Sequence, residues 1–432
     1  MKRVLTLVLA VVMMVSLLSI TASAEDKFQS RKIKILSIWD DTNPTTMGYT
    51  IVDLSNQYAQ TVEGFELEYE YVGITEIDQK VITLLASNDL PDLCIYESGV
   101  RLKPVIESGQ ILDLDAALTE LGVRGYVDAG AASLLMTLVD GMGLYDLPLG
   151  LNVEGFWYNK AVFEAAGLDP EAPPTTWDEL LAACEAIKAI GIAPIAQGGL
   201  DQWPMTRVLN AYVVRSIGLD AVKNAMTGVT KWTDDNYVAA AQMFQDMATN
   251  GYFVQAMNTV DYTTAVNMVM SGQAGMQYNG SWVTGNLSSD ANLAGPEGIG
   301  YFNIPLVNDK STLDDYSMNC GNIMMVSSEK YDAALGDWLK FFVTHVGDYS
   351  MTNKKTFVGY KIESMPEDLP TYTKIVGDAL GTAQGAFLWF EAAMDSETST
   401  LAQTNIALLY TGELTPMEYM QILQDSTDKN ME

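Results

Sequence analysis

The chain has 432 residues, an apolar share of 48%, and 24 basic against 55 acidic residues, a formal charge of −31. That length exceeds what one hydrophobic core usually organises, so two globular lobes are expected. The negative balance repels phosphate backbones and anionic lipid heads within a Debye length, which excludes nucleic acid as a partner.

Lys2 and Arg3 precede an apolar run from Val4 to Ile20, and Ala22-Ser23-Ala24 then places small residues where a signal peptidase reads. Residues 1–24 are therefore expected to be a cleavable signal. The run is shorter than the roughly 20 residues a spanning helix needs. A mature chain that is secreted, periplasmic or associated with the cell surface, with no membrane span, is the expectation. No cysteine marks the cleavage region, so no lipid anchor is expected.

The mature chain opens with two alternating, strand-like stretches, Lys32 to Trp39 and Glu66 to Val72, around a helical segment at 51–59. That is a βαβ unit. Asp78 to Ala86 reads as a helix, and Leu90-Pro91-Asp92 leads into the apolar strand Leu93 to Tyr96. Helices alternating with short strands predict parallel or mixed α/β sheets, whose ligands gather at the carboxyl ends of strands. Glu97 stands just past such an end.

In Val153 to Asn159, alternation puts Glu154, Phe156 and Tyr158 on one face and Val153, Gly155, Trp157 and Asn159 on the other. One face should be core and the other should look toward the lobe boundary. Thr176 and Glu179 make a capping box for a helix that runs to about Ile190, and Gly191 closes it before the strand at 192–195. Trp203 is expected on the loop after that strand. Further on, residues 265–271 read as a helix ended by Gly272, and Ala274 to Tyr278 as a strand. Asn279-Gly280-Ser281 is then the turn from which Trp282 emerges, with Ser281 expected to cap the next helix. Trp177 and Trp338 lie inside helices and are read as core.

Cys94, Cys184 and Cys320 are isolated in apolar surroundings and are expected to be buried thiols, with neither a disulfide framework nor a metal site. No cofactor is expected. His345, the one histidine, falls in the helical LKFFVTHVG and is read as structural.

The segments LASNDLPDL, GQILDLDAAL, LYDLPLG, FWYNKAVFEAAGLDP, PPTTWDEL, MSGQAGMQYNGSW, CGNIMMV and YDAALGDWLKFF occur in this order over roughly residues 32 to 425. In that order the chain resembles the carbohydrate-binding group of extracellular solute-binding proteins of bacterial ABC importers. The resemblance implies an α/β, two-lobe periplasmic-binding-protein-like fold of type II, joined by a multi-strand hinge around a ligand cleft. Residues 25–150 and 301–356 are assigned to the first lobe, and 151–300 and 357–432 to the second. It also implies a carbohydrate ligand, ABC permease subunits as partners, a monomer, and no catalysis. Trp282 matches the tryptophan of the family's Gly-x-Trp element, which lies against a sugar ring. Trp389 resembles a late aromatic of the same family. Where the family often has a glycine-rich turn with proline, this chain reads Thr356-Phe357-Val358-Gly359-Tyr360.

A pyranose offers an apolar C–H face that suits an indole and hydroxyls that suit carboxylates. Trp39, Asp40, Glu97, Glu154, Trp203, Trp282 and Trp389 are accordingly the expected ligand-binding residues. Beyond residue 24 the arginines are Arg31, Arg101, Arg124, Arg207 and Arg215, which favours a neutral sugar over an anionic one; peptides and polyamines are lesser alternatives. Two other functions stay open. A secreted glycan-active enzyme would need two carboxylates about 5 to 10 Å apart, and no local motif marks such a pair. A binding protein serving a sensor would have the same sequence features as one serving a permease.

Overall fold

The computed structural model describes residues 30–74 and 76–431. The expected signal segment lies outside them.

Eleven strands form two sheets: β1 (Lys32–Ser37), β2 (Glu66–Tyr71), β3 (Leu93–Tyr96), β4 (Leu147–Pro148), β5 (Asn152–Asn159), β6 (Ala193–Ile195), β7 (Ala274–Gly280), β8 (Ile299–Phe302), β9 (Asp315–Asn319), β10 (Ile323–Val326) and β11 (Gly385–Phe387). The first sheet has the order β2-β1-β3-β10-β4, and the second the order β11-β9-β5-β7-β6, with β8 also paired to β5. β1 runs parallel to β2 and β3, as a βαβ opening requires, with the helix Met47–Ala59 as the crossover. Among the described residues β2 is an open edge, and its outward Glu66 and Glu68 meet Lys32 and Lys34 of β1 at 3.0 to 3.3 Å.

β5 is the centre of the second sheet, and all eight of its residues are buried. β7 lies along one side, while β8 and β9 share the other, β8 against 156–159 and β9 against 152–154. This explains the aromatic density of the strand. Phe156 stacks on Phe302 at 5.2 Å and meets Tyr278 edge-on, while Trp157 leans on Tyr301 and donates its indole N–H to the Asn279 carbonyl at 3.2 Å. Both faces are therefore core along most of its length. Glu154, near the start of β5, is the member that reaches the lobe boundary.

Two hydrophobic cores follow the sheets, one from Ile33 to Leu149 together with Cys320 to Tyr360, the other from Val153 to Tyr316 together with Tyr372 to Leu423. The lobe limits drawn from sequence at 301 and 357 are corrected here. Residues 299–319 complete β5's hydrogen bonding and carry Ile304 and Tyr316 into the second core, while Val358 and Tyr360 belong to the first. The chain thus crosses between lobes at 149–151, at 320–322 and again between Tyr360 and Tyr372. The crossings are tied together: Leu149 N–H donates to the Cys320 carbonyl at 3.1 Å, and Leu151 N–H to the Phe357 carbonyl at 3.1 Å. Gly321 takes φ +68° where it passes Gly150, a left-handed turn that a side chain would strain.

Asp146, just before β4, has no exposed surface, and neither carboxylate oxygen has a hydrogen-bond partner. Burial pushes its carboxyl up to about 7. The expected packing roles hold for Trp177 and Trp338, both buried, and the Thr176–Glu179 capping box is formed. The three cysteines are buried free thiols. His345 is exposed, stacked on Phe341 and bonded to the Phe341 carbonyl at 2.7 Å.

Candidate functional site

The carboxyl end of β7 carries an aromatic corner. A Cβ on Gly280 would lie 1.9 Å from the Trp282 ring, so only glycine lets the indole fold back over the strand end. The Trp282 indole N–H donates to the Tyr262 hydroxyl at 2.9 Å, and the Asn279 amide donates to the same oxygen at 3.2 Å. Burial pushes that phenol up to about 12, so it stays protonated at neutral pH. Trp203 completes the corner, 5.5 Å from Tyr262 and 6.0 Å from Trp282. All three rings are half-buried, leaving faces free. Trp203 was expected on a loop; it is the first residue of the helix Trp203–Ile217, entered through Gln202 at φ +65°. Ser281 was expected to cap a helix. Instead its hydroxyl accepts from Val153 N–H at 3.3 Å and donates to Asn152 at 3.2 Å, fastening the turn to β5.

Arg207, one turn after Trp203 on the same helix face, lies beside this corner. Its guanidinium sits 5.4 Å from the Trp203 ring and 5.5 Å from the Trp389 ring. It bonds Glu154 Oε1 and lies 3.3 Å from Glu391 Oε2. Glu154 Oε1 also accepts from Asn319 at 2.8 Å, and Glu391 Oε1 accepts from the Thr206 hydroxyl. Glu154 is 1% exposed and its Oε2 has no partner.

Glu97 faces this group from the first lobe. It lies 3.1 Å from Arg101, which is 2.7 Å from Asp78 and reaches across the boundary to the Ser399 hydroxyl. Burial pushes the Glu97 carboxyl up, Arg101 opposes the shift, and Asp78 and Glu391 reinforce it. Two half-networks, one per lobe, therefore sense each other.

The structure thus gathers Glu97, Glu154, Trp203, Trp282 and Trp389. Trp389 is only 7% exposed and packs with the first core as well as on Arg207, so it walls the group without a free face. Trp39 and Asp40 stand just past the end of β1, held by contacts within their own lobe. The Trp39 carbonyl accepts from the Tyr69 hydroxyl at 3.0 Å, and its Cβ is 3.0 Å from where a Gly48 Cβ would stand. Asp40 accepts from the Thr42 N–H and hydroxyl at 2.8 and 2.7 Å, bonds that hold its carboxyl below the usual range and fold it into its own loop. Sequence reasoning missed Arg207, Tyr262, Asn319 and Glu391. The four-residue step from Trp203 to Arg207 and the Trp389-Phe390-Glu391 step were the available signals; Tyr262 and Asn319 had none.

A cavity of about 780 Å³ lies between the lobes, lined by residues that include Leu134, Leu151, Val222, Met318 and Phe387. Its lining also includes Val100, Leu388 and Ala392, chain neighbours of Arg101, Trp389 and Glu391. Among the described residues, no cluster of His, Cys, Asp and Glu could hold a metal ion, and no helix is long and apolar enough to cross a membrane.

Comparison with known proteins agrees with this architecture. An uncharacterised ABC transporter extracellular-binding protein of Pyrococcus horikoshii is 27% identical over 261 residues, covering 59% of this chain. The alignment spans 57% of that relative, a little over half its length. The xylose/arabinose-binding protein of Haloferax volcanii is 22% identical over 348 residues, covering 77% of this chain and 72% of its own. Among solved structures, a chitin oligosaccharide binding protein superposes with a TM-score of 0.83 at 25% identity, covering 93% of this chain and 99% of its own. Residues 42–348 match the family described as bacterial extracellular solute-binding protein, and since that match spans well over half of the sequence, the chain belongs to this family.

Proposed function

We propose that the protein captures a sugar or oligosaccharide outside the cytoplasm and delivers it to the membrane subunits of an ABC importer. It does so as a monomer that closes its lobes on the ligand, without catalysis. The observation that carries this reading is the pairing of a half-open aromatic corner, Trp203, Tyr262 and Trp282, with buried carboxylates and guanidiniums at strand ends on a lobe boundary. Such a pairing suits the flat apolar face and the polar rim of a pyranose. Sugar names among the similar proteins support it.

A thermal-shift and calorimetric screen with mono- and oligosaccharides tests the reading. At a free sugar concentration about 1,000 times its dissociation constant, stabilisation should approach roughly 4 kcal/mol. Small-angle scattering should then show a smaller radius of gyration. Product released from a bound oligosaccharide, and abolished by one carboxylate substitution, would overturn the binding function in favour of an enzyme.

Trp282→Ala should weaken sugar binding by about 1 to 3 kcal/mol, from lost apolar contact and ring stacking. The fold should persist, because the indole is half-exposed. A variant that unfolds easily yet binds sugar normally when folded would make Trp282 a packing residue.

A further inference from the structure

The polar network at the lobe boundary is unbalanced in charge. Asp78 and Glu97 share Arg101 on the first lobe, and Glu154 and Glu391 share Arg207 on the second. Four carboxylates thus face two guanidiniums, and each half carries a formal excess of negative charge. Two like-signed halves meeting across a boundary repel, most strongly where water is excluded.

The unsatisfied atoms have the same polarity. Glu154 Oε2 and Glu391 Oε2 lack hydrogen bonds although their residues are 1% and 3% exposed. Asn210 is 1% exposed; its amide nitrogen donates to the Leu388 carbonyl at 3.2 Å, and its Oδ1 has no partner. Asp78 Oδ1 is likewise unpartnered. The orphan donors nearby, the Nε atoms of Arg101 and Arg207, are fewer and already lie beside these carboxylates. Buried acceptors without partners are costly and call for donors. A hydroxyl brings one donor along with its own acceptor lone pairs. An ammonium brings three donors, no acceptor and a compensating charge.

Building on the sugar-capture reading, we propose that the site is made for an amino sugar, whose protonated amine lies between the Glu97 half and the Glu154–Glu391 half while its ring rests on the Trp203–Trp282 corner. Charge-assisted hydrogen bonds to carboxylates hold the amine, and the indole faces attract a cation as well as a C–H face. The amine has a second effect. It offsets the mutual repulsion of the two halves, so the same contact that recognises the ligand favours bringing the lobes together. N-acetylation removes the charge and adds an acceptor. A uronate adds a further negative charge to a site that already has an excess.

Calorimetry at pH 6 separates the possibilities, with five probes: a glucosamine oligomer, its N-acetylated counterpart, a neutral gluco-oligomer of equal length, an oligouronate and spermidine. The amine-bearing sugar should bind at least about tenfold tighter than the neutral one, and the uronate should not bind. The preference should shrink with added salt, and Glu97→Gln should reduce the ratio of amine-sugar to neutral-sugar affinity several-fold. Glu97 lies at the boundary with part of its side chain in solvent, so this variant should fold; the salt series on the unmodified protein tests the same charge dependence independently. Equal affinity for amine and neutral sugars overturns the amine assignment and leaves sugar capture standing. Binding of spermidine with no sugar overturns both.

Discussion

Arg207→Ala should destabilise the protein by about 3 to 5 kcal/mol at neutral pH and abolish ligand binding, as expected when one partner of a buried ion pair is removed and the other is left uncompensated. Two carboxylates depend on this guanidinium, and both are almost fully buried. The planar group also fills the gap between Trp203 and Trp389, so truncation loses packing as well as charge. Denaturant unfolding of Arg207→Ala and Arg207→Lys measures the effect. Lysine should recover only part of the loss, because a point charge cannot stack on two indoles while bonding Glu154. Combining Arg207→Ala with Glu154→Gln should restore some stability by removing one stranded charge. A loss below about 1 kcal/mol for Arg207→Ala would mean that water reaches these carboxylates and that the pair is not a structural keystone.

Asp146→Asn should raise stability at pH 8 by up to about 4 kcal/mol relative to pH 4, the equivalent of a three-unit shift at roughly 1.36 kcal/mol each. The sign follows from the direction of the shift. Burial raises the folded carboxyl from its ordinary value of 3.8 to about 7, so the folded state binds the proton more tightly than the unfolded chain. Its contribution is fully present below the unfolded value, is lost as pH rises from about 4 to about 7, and is constant above that. Asparagine cannot ionise and removes this slope. The many other acids also titrate, so the informative quantity is the difference between variant and parent, measured by urea unfolding at pH 4, 6 and 8. A difference that does not change with pH would show that Asp146 titrates as an ordinary carboxyl. Because the residue precedes β4, next to the first crossing, the same substitution is a probe of how far burial there controls the join between lobes.

How much of this was legible depended on whether the determinant was local. The Thr176–Glu179 box, the βαβ opening and the helix–turn–strand at Tyr262–Gly280 are set by residues a few positions apart, and each formed as its pattern required. The aromatic corner was half legible. Gly280 and Trp282 are close in sequence, whereas Tyr262 and Trp203 join them through tertiary packing. Glu154 was readable only as a member of one alternating face of its strand, and its partners come from the helix at Arg207, from Asn319 and, through Arg207, from Glu391. No spacing rule spans those separations. The division at 301 misplaced a segment because Tyr301-Phe302 gives an apolar strand suited to either sheet, and only the vacancy beside residues 156–159 of β5 decides between them. Trp39 and Asp40 satisfied the strand-end criterion, and their visible contacts are local, with Tyr69 and Thr42.

The open edge of the first sheet bears on how copies of this chain behave toward one another. β2 presents unpaired backbone groups along one side, the template on which strands of separate molecules add and aggregates grow. Its sequence is Glu-Leu-Glu-Tyr-Glu-Tyr, and Glu66, Glu68 and Glu70 are all exposed on one face of the strand. Two molecules meeting through this edge would set one row of carboxylates beside an identical row, a juxtaposition that is destabilising at each step. Lys32 and Lys34 of the paired strand, and Lys80 of the helix Ile77–Ala86, neutralise the row from within the molecule. Among the described residues no strand covers this edge, and its row of carboxylates is compatible with its own sheet while disfavouring a copy that would add beside it.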